Sequence, residues 1–157
     1  MKVEVESVGM IYKDIERDVE VLKDINFTIN SGTSVAIVGA SGVGKTTLLN
    51  IIGALEEPTS GRVKIDGKDY KEIGKSKGGV TQFRGKNIGF IFQFHYLLPE
   101  FSAVENVAMP LIIQGLEHEK AHARAKSLLS QVGLAKRLEH RPTMLSGGEQ
   151  QLSLIHI

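Results

Sequence analysis

At 157 residues, with 41% hydrophobic, 24% charged and 6% aromatic positions, the chain has the composition of an ordinary globular domain able to bury a core. A formal net charge of +1 gives no reason to expect a nucleic acid or a membrane surface as direct partner. The absence of cysteine excludes disulfides, thiolate metal sites and cysteine nucleophiles. Met1-Lys2-Val3-Glu4-Val5-Glu6 is no signal peptide, and no apolar run approaches the ~20 residues of a spanning helix, so the expectation is a soluble, cytoplasmic chain without direct membrane insertion.

Val3 and Val5 alternate with Lys2, Glu4 and Glu6, the pattern of a half-exposed strand, and Tyr12 is expected just beyond its end. A polar loop over residues 13–18 leads to two further strand candidates, Val19-Glu20-Val21-Leu22 and Ile25-Asn26-Phe27-Thr28-Ile29. These predict a small antiparallel sheet. Asn30-Ser31-Gly32 is a turn. The run Val35-Ala36-Ile37-Val38 reads as a buried parallel strand, and residues 46–55 as a helix made apolar on most faces by Leu48, Leu49, Ile51, Ile52 and Leu55. Past Pro58-Thr59-Ser60-Gly61, a hairpin folds about Asp66-Gly67, a dipeptide that favours positive φ. Residues 71–85 are polar, with Gly78-Gly79 inside them, and read as a mobile loop. Ile88-Gly89-Phe90-Ile91-Phe92 reads as a short buried strand ending at Gln93.

The periodicity then turns helical. Ser102-Ala103-Val104-Glu105 has the form of a capping box, so a helix begins there; Pro110 is expected to kink or split it and Gly115 to stop it. Ala121, Ala125, Leu128, Leu129 and Val132 line one face of a second helix, with Gly133 as its cap. Residues 101–138 read as a separate helical lobe. His118-Glu119-Lys120-Ala121-His122 matches the zinc-protease pattern His-Glu-x-x-His, but its charged neighbours and the lack of a third ligand make it a solvated polar face.

Two motifs carry chemistry. Gly39-Ala40-Ser41-Gly42-Val43-Gly44-Lys45-Thr46 is the phosphate-binding pattern Gly-x-x-x-x-Gly-Lys-Ser/Thr, set between the strand and helix expected around it. Glycines let the backbone curl around an anion, the helix N-terminus aims N–H groups and dipole at it, Lys45 reaches the β- and γ-phosphates, and the Thr46 hydroxyl enters a Mg²⁺ shell. A nucleoside triphosphate is the expected ligand. The second motif is Leu145-Ser146-Gly147-Gly148-Glu149-Gln150-Gln151, where Ser146 and Glu149 again have capping-box spacing and two glycines leave a second helix N-terminus open to an anion.

The phosphate loop, the strand-end Gln93, a helical lobe and then Leu-Ser-Gly-Gly, in that order and spacing, resemble the ATP-binding subunits of ABC transporters over about residues 3–151. Within that family, Phe92-Gln93-Phe94-His95-Tyr96-Leu97-Leu98-Pro99 followed by Glu105-Asn106-Val107-Ala108-Met109-Pro110-Leu111 is similar to the lipoprotein-releasing branch. Branches serving macrolide or peptide export and cell division share much of that pattern. The resemblance implies an α/β fold of the P-loop NTPase, ABC type, with an antiparallel β subdomain and a helical subdomain. It divides the chain into a nucleotide-binding core over residues 1–93, a helical subdomain over 94–145 and the signature helix start with its tail over 146–157. It also implies roles. Tyr12 stacks on adenine, Gln93 touches Mg²⁺ and the attacking water, and Ser146 and Gly148 bind the γ-phosphate of ATP held by the opposite subunit. With Gly39, Ser41, Gly42, Gly44, Lys45, Thr46, Thr47 and Gly147 these form the ATP-binding set; Thr46 and Gln93 are the Mg²⁺ ligands. The implied partners are a second copy, head to tail, and integral membrane transporter subunits, which place the protein peripherally on the cytoplasmic face of the inner membrane.

After the signature the family continues as a helix resembling Arg-Val-Ala-Ile-Ala-Arg-Ala, whereas this chain reads Leu152-Ser153-Leu154-Ile155-His156-Ile157. The family's strand-end Mg²⁺ aspartate, catalytic glutamate and switch histidine are not matched among these residues; His140 and His156 lie in the wrong context. The expectation is a fold incomplete at the C-terminus, whose 157 residues bind ATP without hydrolysing it and leave the 35–38 strand and the 46–55 helix under-packed.

Overall fold

Valine alternating with charge builds β1 (Val3–Tyr12), the strand around which the first unit assembles. The computed structural model describes residues 1–15, 17–93 and 96–154; Glu16, Phe94, His95 and residues 155–157, on which parts of the loop, branch and tail readings fall, lie outside the described residues. The chain divides into two units, Met1–Ile88 and Gly89–Ile157.

In the first unit β1 pairs antiparallel with β2 (Val19–Ile29) on one side and β3 (Ser60–Ile65) on the other, and β4 (Lys68–Asp69) adds to β3. Val5 stands opposite Phe27 and Val63. The two candidates over residues 19–29 are one strand that includes a left-handed Asp24 (φ 45°). Asn26 sits at this irregularity: its Oδ1 accepts the Ser7 N–H at 2.7 Å and its Nδ2 donates to Asp24. Tyr12 is the last residue of β1 rather than beyond it. At the β3–β4 turn Asp66 (φ 49°) and Gly67 (φ 80°) both take positive φ, as the hairpin required.

One face of this sheet buries Val3, Val5, Val8, Met10, Leu22, Val63 and Ile65 with Leu48 and Ile51 of α1 (Lys45–Ile52). Burying a side chain such as Ile51 contributes about 1.5–3 kcal/mol. The helix is shorter than the sequence suggests and less enclosed, with Leu49 47% exposed. The carbonyl of its last residue and one just beyond it are held: Tyr70 Oη donates to Ile52 O at 2.5 Å and Arg84 Nη1 to Ala54 O at 2.5 Å. Arg84 also sets a cation against the negative end of the helix.

Residues 71–85, expected as a loop, instead carry α2 (Tyr70–Gly74) and most of α3 (Gly79–Asn87). Asp69 caps α2 by accepting the Lys71 N–H at 2.7 Å, Ile73 is buried, and Phe83 meets Tyr70 edge to face at 6.2 Å. A few apolar anchors suffice to fold this polar stretch. The opposite correction applies to residues 35–38 and 88–92. Neither forms a strand; Val38, in the segment expected to be under-packed, is 86% exposed, and Ile91 is 60% exposed rather than buried. Among the described residues no strand pairs with either segment, so neither has a ladder.

The second unit is helical. α4 (Ala103–Ile113) starts at the expected capping box, with the Ser102 N–H on Glu105 Oε2 at 2.7 Å, and Pro110 does not split it. α5 (His118–Gln131) packs Ala121, Ala125, Leu128 and Leu129 with Ala103, Val104, Val107 and Ala108. Buried Asn106 organises the preceding turn, accepting from Leu98 N and donating to the Phe101 and Ser102 carbonyls. The Ala103 and Val104 N–H groups bond to His140 O and Leu138 O, which ties the approach to the second motif onto the start of α4. A short 3-10 turn (Pro142–Met144) then leads into α6 (Gly147–Leu154).

Candidate functional site

The phosphate-loop residues run from the segment at residues 35–38 into α1, with Gly44 (φ 94°) as the N-cap. A Cβ on Gly44 would lie 2.8 Å from Val21 Cγ1 and 3.0 Å from Val21 O, so both backbone twist and contact with β2 exclude a side chain there. Gly42 (φ 80°) needs glycine for its conformation alone, since its surroundings are open; Ser41 is exposed beside it, and Gly39 lies against Val43. Lys45 folds back over the loop, its Nζ donating to Gly39 O at 2.9 Å and Ala40 O at 2.6 Å. The ammonium is therefore held within the loop by two carbonyls that anionic oxygens can outcompete. Thr46 is exposed in the first turn of α1, where N–H groups have no carbonyl a turn earlier to bond. A triphosphate fits this set, and the Thr46 hydroxyl fits a hard cation beside it.

Tyr12 is brought to the same helix. Its Oη donates to Glu56 Oε1 at 2.7 Å and stands 3.5 Å from Thr47 Oγ1. Burial, first of all, pushes the phenol above its ordinary value, so the hydroxyl remains a donor. Tyr12 as a whole is 38% exposed, which leaves surface for a ligand.

The remaining site residues belong to the second unit. Gln93 is exposed where the segment after residue 88 ends. Ser146, Gly147 and Gly148 open α6 and are exposed, and a Cβ on either glycine would meet nothing within 4 Å. Leu145 beneath them is in the core, and Gln150 Nε2 donates to Pro142 O at 2.8 Å and Leu145 O at 3.1 Å, fixing the turn against the helix. The capping box forms: the Ser146 N–H bonds Glu149 Oε2 at 2.8 Å, and the Glu149 N–H bonds Ser146 Oγ at 3.3 Å. The Ser146 N–H is thus spent on Glu149, while the Ser146 hydroxyl proton and the Gly147 and Gly148 N–H groups stay available to an anion. Arg137 Nε on Glu149 Oε1 at 3.0 Å offsets a carboxylate that would otherwise repel that anion.

The Ser146 N–H, then Arg137, hold the Glu149 carboxyl at about 2, below its ordinary 4.5. A depressed folded-state pKa contributes stability that is complete above the unfolded value and disappears as pH falls through the folded one. The melting-temperature gap between the native chain and Glu149→Ala is therefore expected to be full near neutral pH and to close between about pH 4.5 and 2. A gap independent of pH would remove the cap from this account.

The sequence offered no cue to Glu56 or Arg137, whose partners are distant along the chain; Gln150 lay inside the motif without a stated role. His118 and His122 stack at 4.5 Å, the first exposed and the second half-buried. Among the described residues no group of three or more His, Cys, Asp or Glu gathers to hold a metal, and no helix is long and apolar enough to cross a membrane.

A family model described as ABC transporter matches residues 22–157. The chain belongs to the ABC transporter family. Among its ABC relatives, the lipoprotein-releasing system ATP-binding protein LolD of Geobacter metallireducens is 54% identical over 89% of this chain and 61% of its own length. The LolD of Chromohalobacter salexigens is 49% identical over 93% of this chain and 61% of its own. The chain thus spans about three fifths of the length of these relatives. A solved dimeric, post-hydrolysis ATP-binding cassette bound to ADP and Pi is 37% identical and superposes with a TM-score of 0.85 over 97% of this chain and 67% of the cassette. The fold is that of an ABC ATPase, with its antiparallel sheet and helical part.

Proposed function

We propose that this chain is the ATP-binding part of an ABC transporter subunit that drives release of lipoproteins from the inner membrane toward the outer membrane. The observation that carries it is Lys45, curled inside a glycine loop at the N-terminus of α1 with Tyr12 alongside; the relatives' names supply the transport class. In this reading Lys45 and the first N–H groups of α1 bind the phosphates, and Thr46 with Gln93 holds Mg²⁺, which supplies charge neutralisation when bound. Tyr12 stacks on the base, Gly39, Ser41, Gly42, Gly44 and Thr47 shape the cradle, and Ser146, Gly147 and Gly148 cover the γ-phosphate held by a second copy. The dimeric state of the solved cassette supports that second copy. Membrane subunits are the remaining partners and put the protein on the cytoplasmic face.

Two measurements test this. The 157-residue chain with Mg²⁺ is expected to bind a fluorescent ATP analogue saturably and to release it to unlabelled ATP. No displacement at about millimolar ATP would end the nucleotide reading. A chimera in which residues 1–151 replace the matching part of a lipoprotein-releasing relative is expected to support lipoprotein release from vesicles. A chimera that binds and hydrolyses ATP in its complex but releases no lipoprotein would overturn the transport class alone.

A further inference from the structure

A tyrosine at the end of a strand is a poor stacking platform unless something fixes its ring, because its side chain otherwise samples several rotamers. Tyr12 is such a residue: it closes β1, and a polar loop follows it. What fixes it is Glu56, 44 positions later, whose Oε1 accepts the Tyr12 hydroxyl at 2.7 Å. This short, charge-assisted bond reaches the segment directly after α1, and Thr47 Oγ1, in the first turn of the same helix, is 3.5 Å from the hydroxyl. The free end of the ring is thus tied to the element that carries Lys45 and Thr46. Base platform and phosphate cradle share one rigid support, so the distance between them does not depend on the loop over residues 13–18.

We propose that Glu56 is a positioning residue for adenine, orienting the Tyr12 ring at a set distance from the phosphate loop. The proposal rests on the reading of Tyr12 as the base-stacking residue. Glu56 acts only as acceptor, and a glutamine oxygen can replace it; an alanine cannot. Loss of the bond releases the ring, so binding of any ligand that uses the base must again order it, whereas a ligand with phosphates alone is untouched.

The test compares ATP with inorganic triphosphate by calorimetry on the 157-residue chain with Mg²⁺. Glu56→Ala and Tyr12→Phe are each expected to weaken ATP about three- to tenfold, with no further loss in the double variant. Glu56→Gln is expected to restore near-native ATP affinity, and inorganic triphosphate to bind all four variants as it binds the native chain. Equal weakening of triphosphate by Glu56→Ala would overturn the proposal, since Glu56 would then act on the cradle. Additive losses would overturn it as well, because Glu56 would then touch the base itself. If Tyr12→Ala leaves ATP affinity unchanged, the stacking reading fails and takes the proposal with it. Loss of ATP affinity in Tyr12→Ala with none in Glu56→Ala sinks only the role of Glu56.

Discussion

Substituting Lys45 by alanine is expected to lower ATP affinity by about a hundredfold, roughly 2.7 kcal/mol. The ammonium is the only formal positive charge the loop sequence itself supplies, and its bonds to Gly39 O and Ala40 O place it where phosphate oxygens would sit. Those partners are exposed carbonyls that water satisfies when the side chain is gone, so folding stability should change by less than about 0.5 kcal/mol. Lys45→Arg is expected to bind almost as poorly as alanine, because a planar guanidinium cannot present three donors within so tight a turn. Titration calorimetry beside thermal unfolding separates the two effects. Undiminished binding in Lys45→Ala would detach the loop from nucleotide recognition altogether.

The largest loss of stability is expected from Gly61→Ala, at least about 3 kcal/mol. Gly61 takes φ 74°, and a Cβ there would collide with the carbonyl group of Ser7 and stand 2.5 Å from Glu6 O, all backbone of β1. Backbone cannot swing aside as a side chain can, so β1 and β3 would have to separate at the centre of the sheet. Gly67→Ala is the matched control. It has φ 80° but nothing within 4 Å of its Cβ, so it incurs only the conformational cost, about 1 kcal/mol. Urea unfolding of both variants decides between them. Equal losses would mean that left-handed strain, rather than close approach of two strands, is what Gly61 relieves.

The contrast between these glycines bears on what could be read before the fold was known. Features that act over three or four residues were legible. Ser102 with Glu105, Ser146 with Glu149, the Asp66-Gly67 turn and the left-handed Gly133 all behave as their spacing implies. The phosphate loop was legible for the same reason, being contiguous. Residues 71–85 were misread because polarity was taken for mobility, although Asp69 already offered a cap and Ile73 and Phe83 the anchors. The run at residues 35–38 was misread in the other direction. Its apolar side chains express a preference for a buried sheet, but a strand is a property of a pair, and a single sequence segment cannot supply its own neighbours. The Tyr12–Glu56 and Arg137–Glu149 contacts were invisible because they join elements that only the folded chain brings together.

The placement of β1 between β2 and β3 also sets an order of events in time. β2 can close on β1 as a hairpin almost at once, but the far side of β1 waits for β3, and the Lys2 N–H meets Asp66 Oδ1 across 64 residues. At synthesis rates of about 5–20 residues per second, an unfinished sheet would show its open edge for on the order of several seconds. During that interval Val3 and Val5 lack the Ile65 and Val63 that stand opposite them in the finished sheet. A nascent chain of this protein is thus most open to chaperones, and to mispairing with its neighbours, before the hairpin at Asp66-Gly67 has been made.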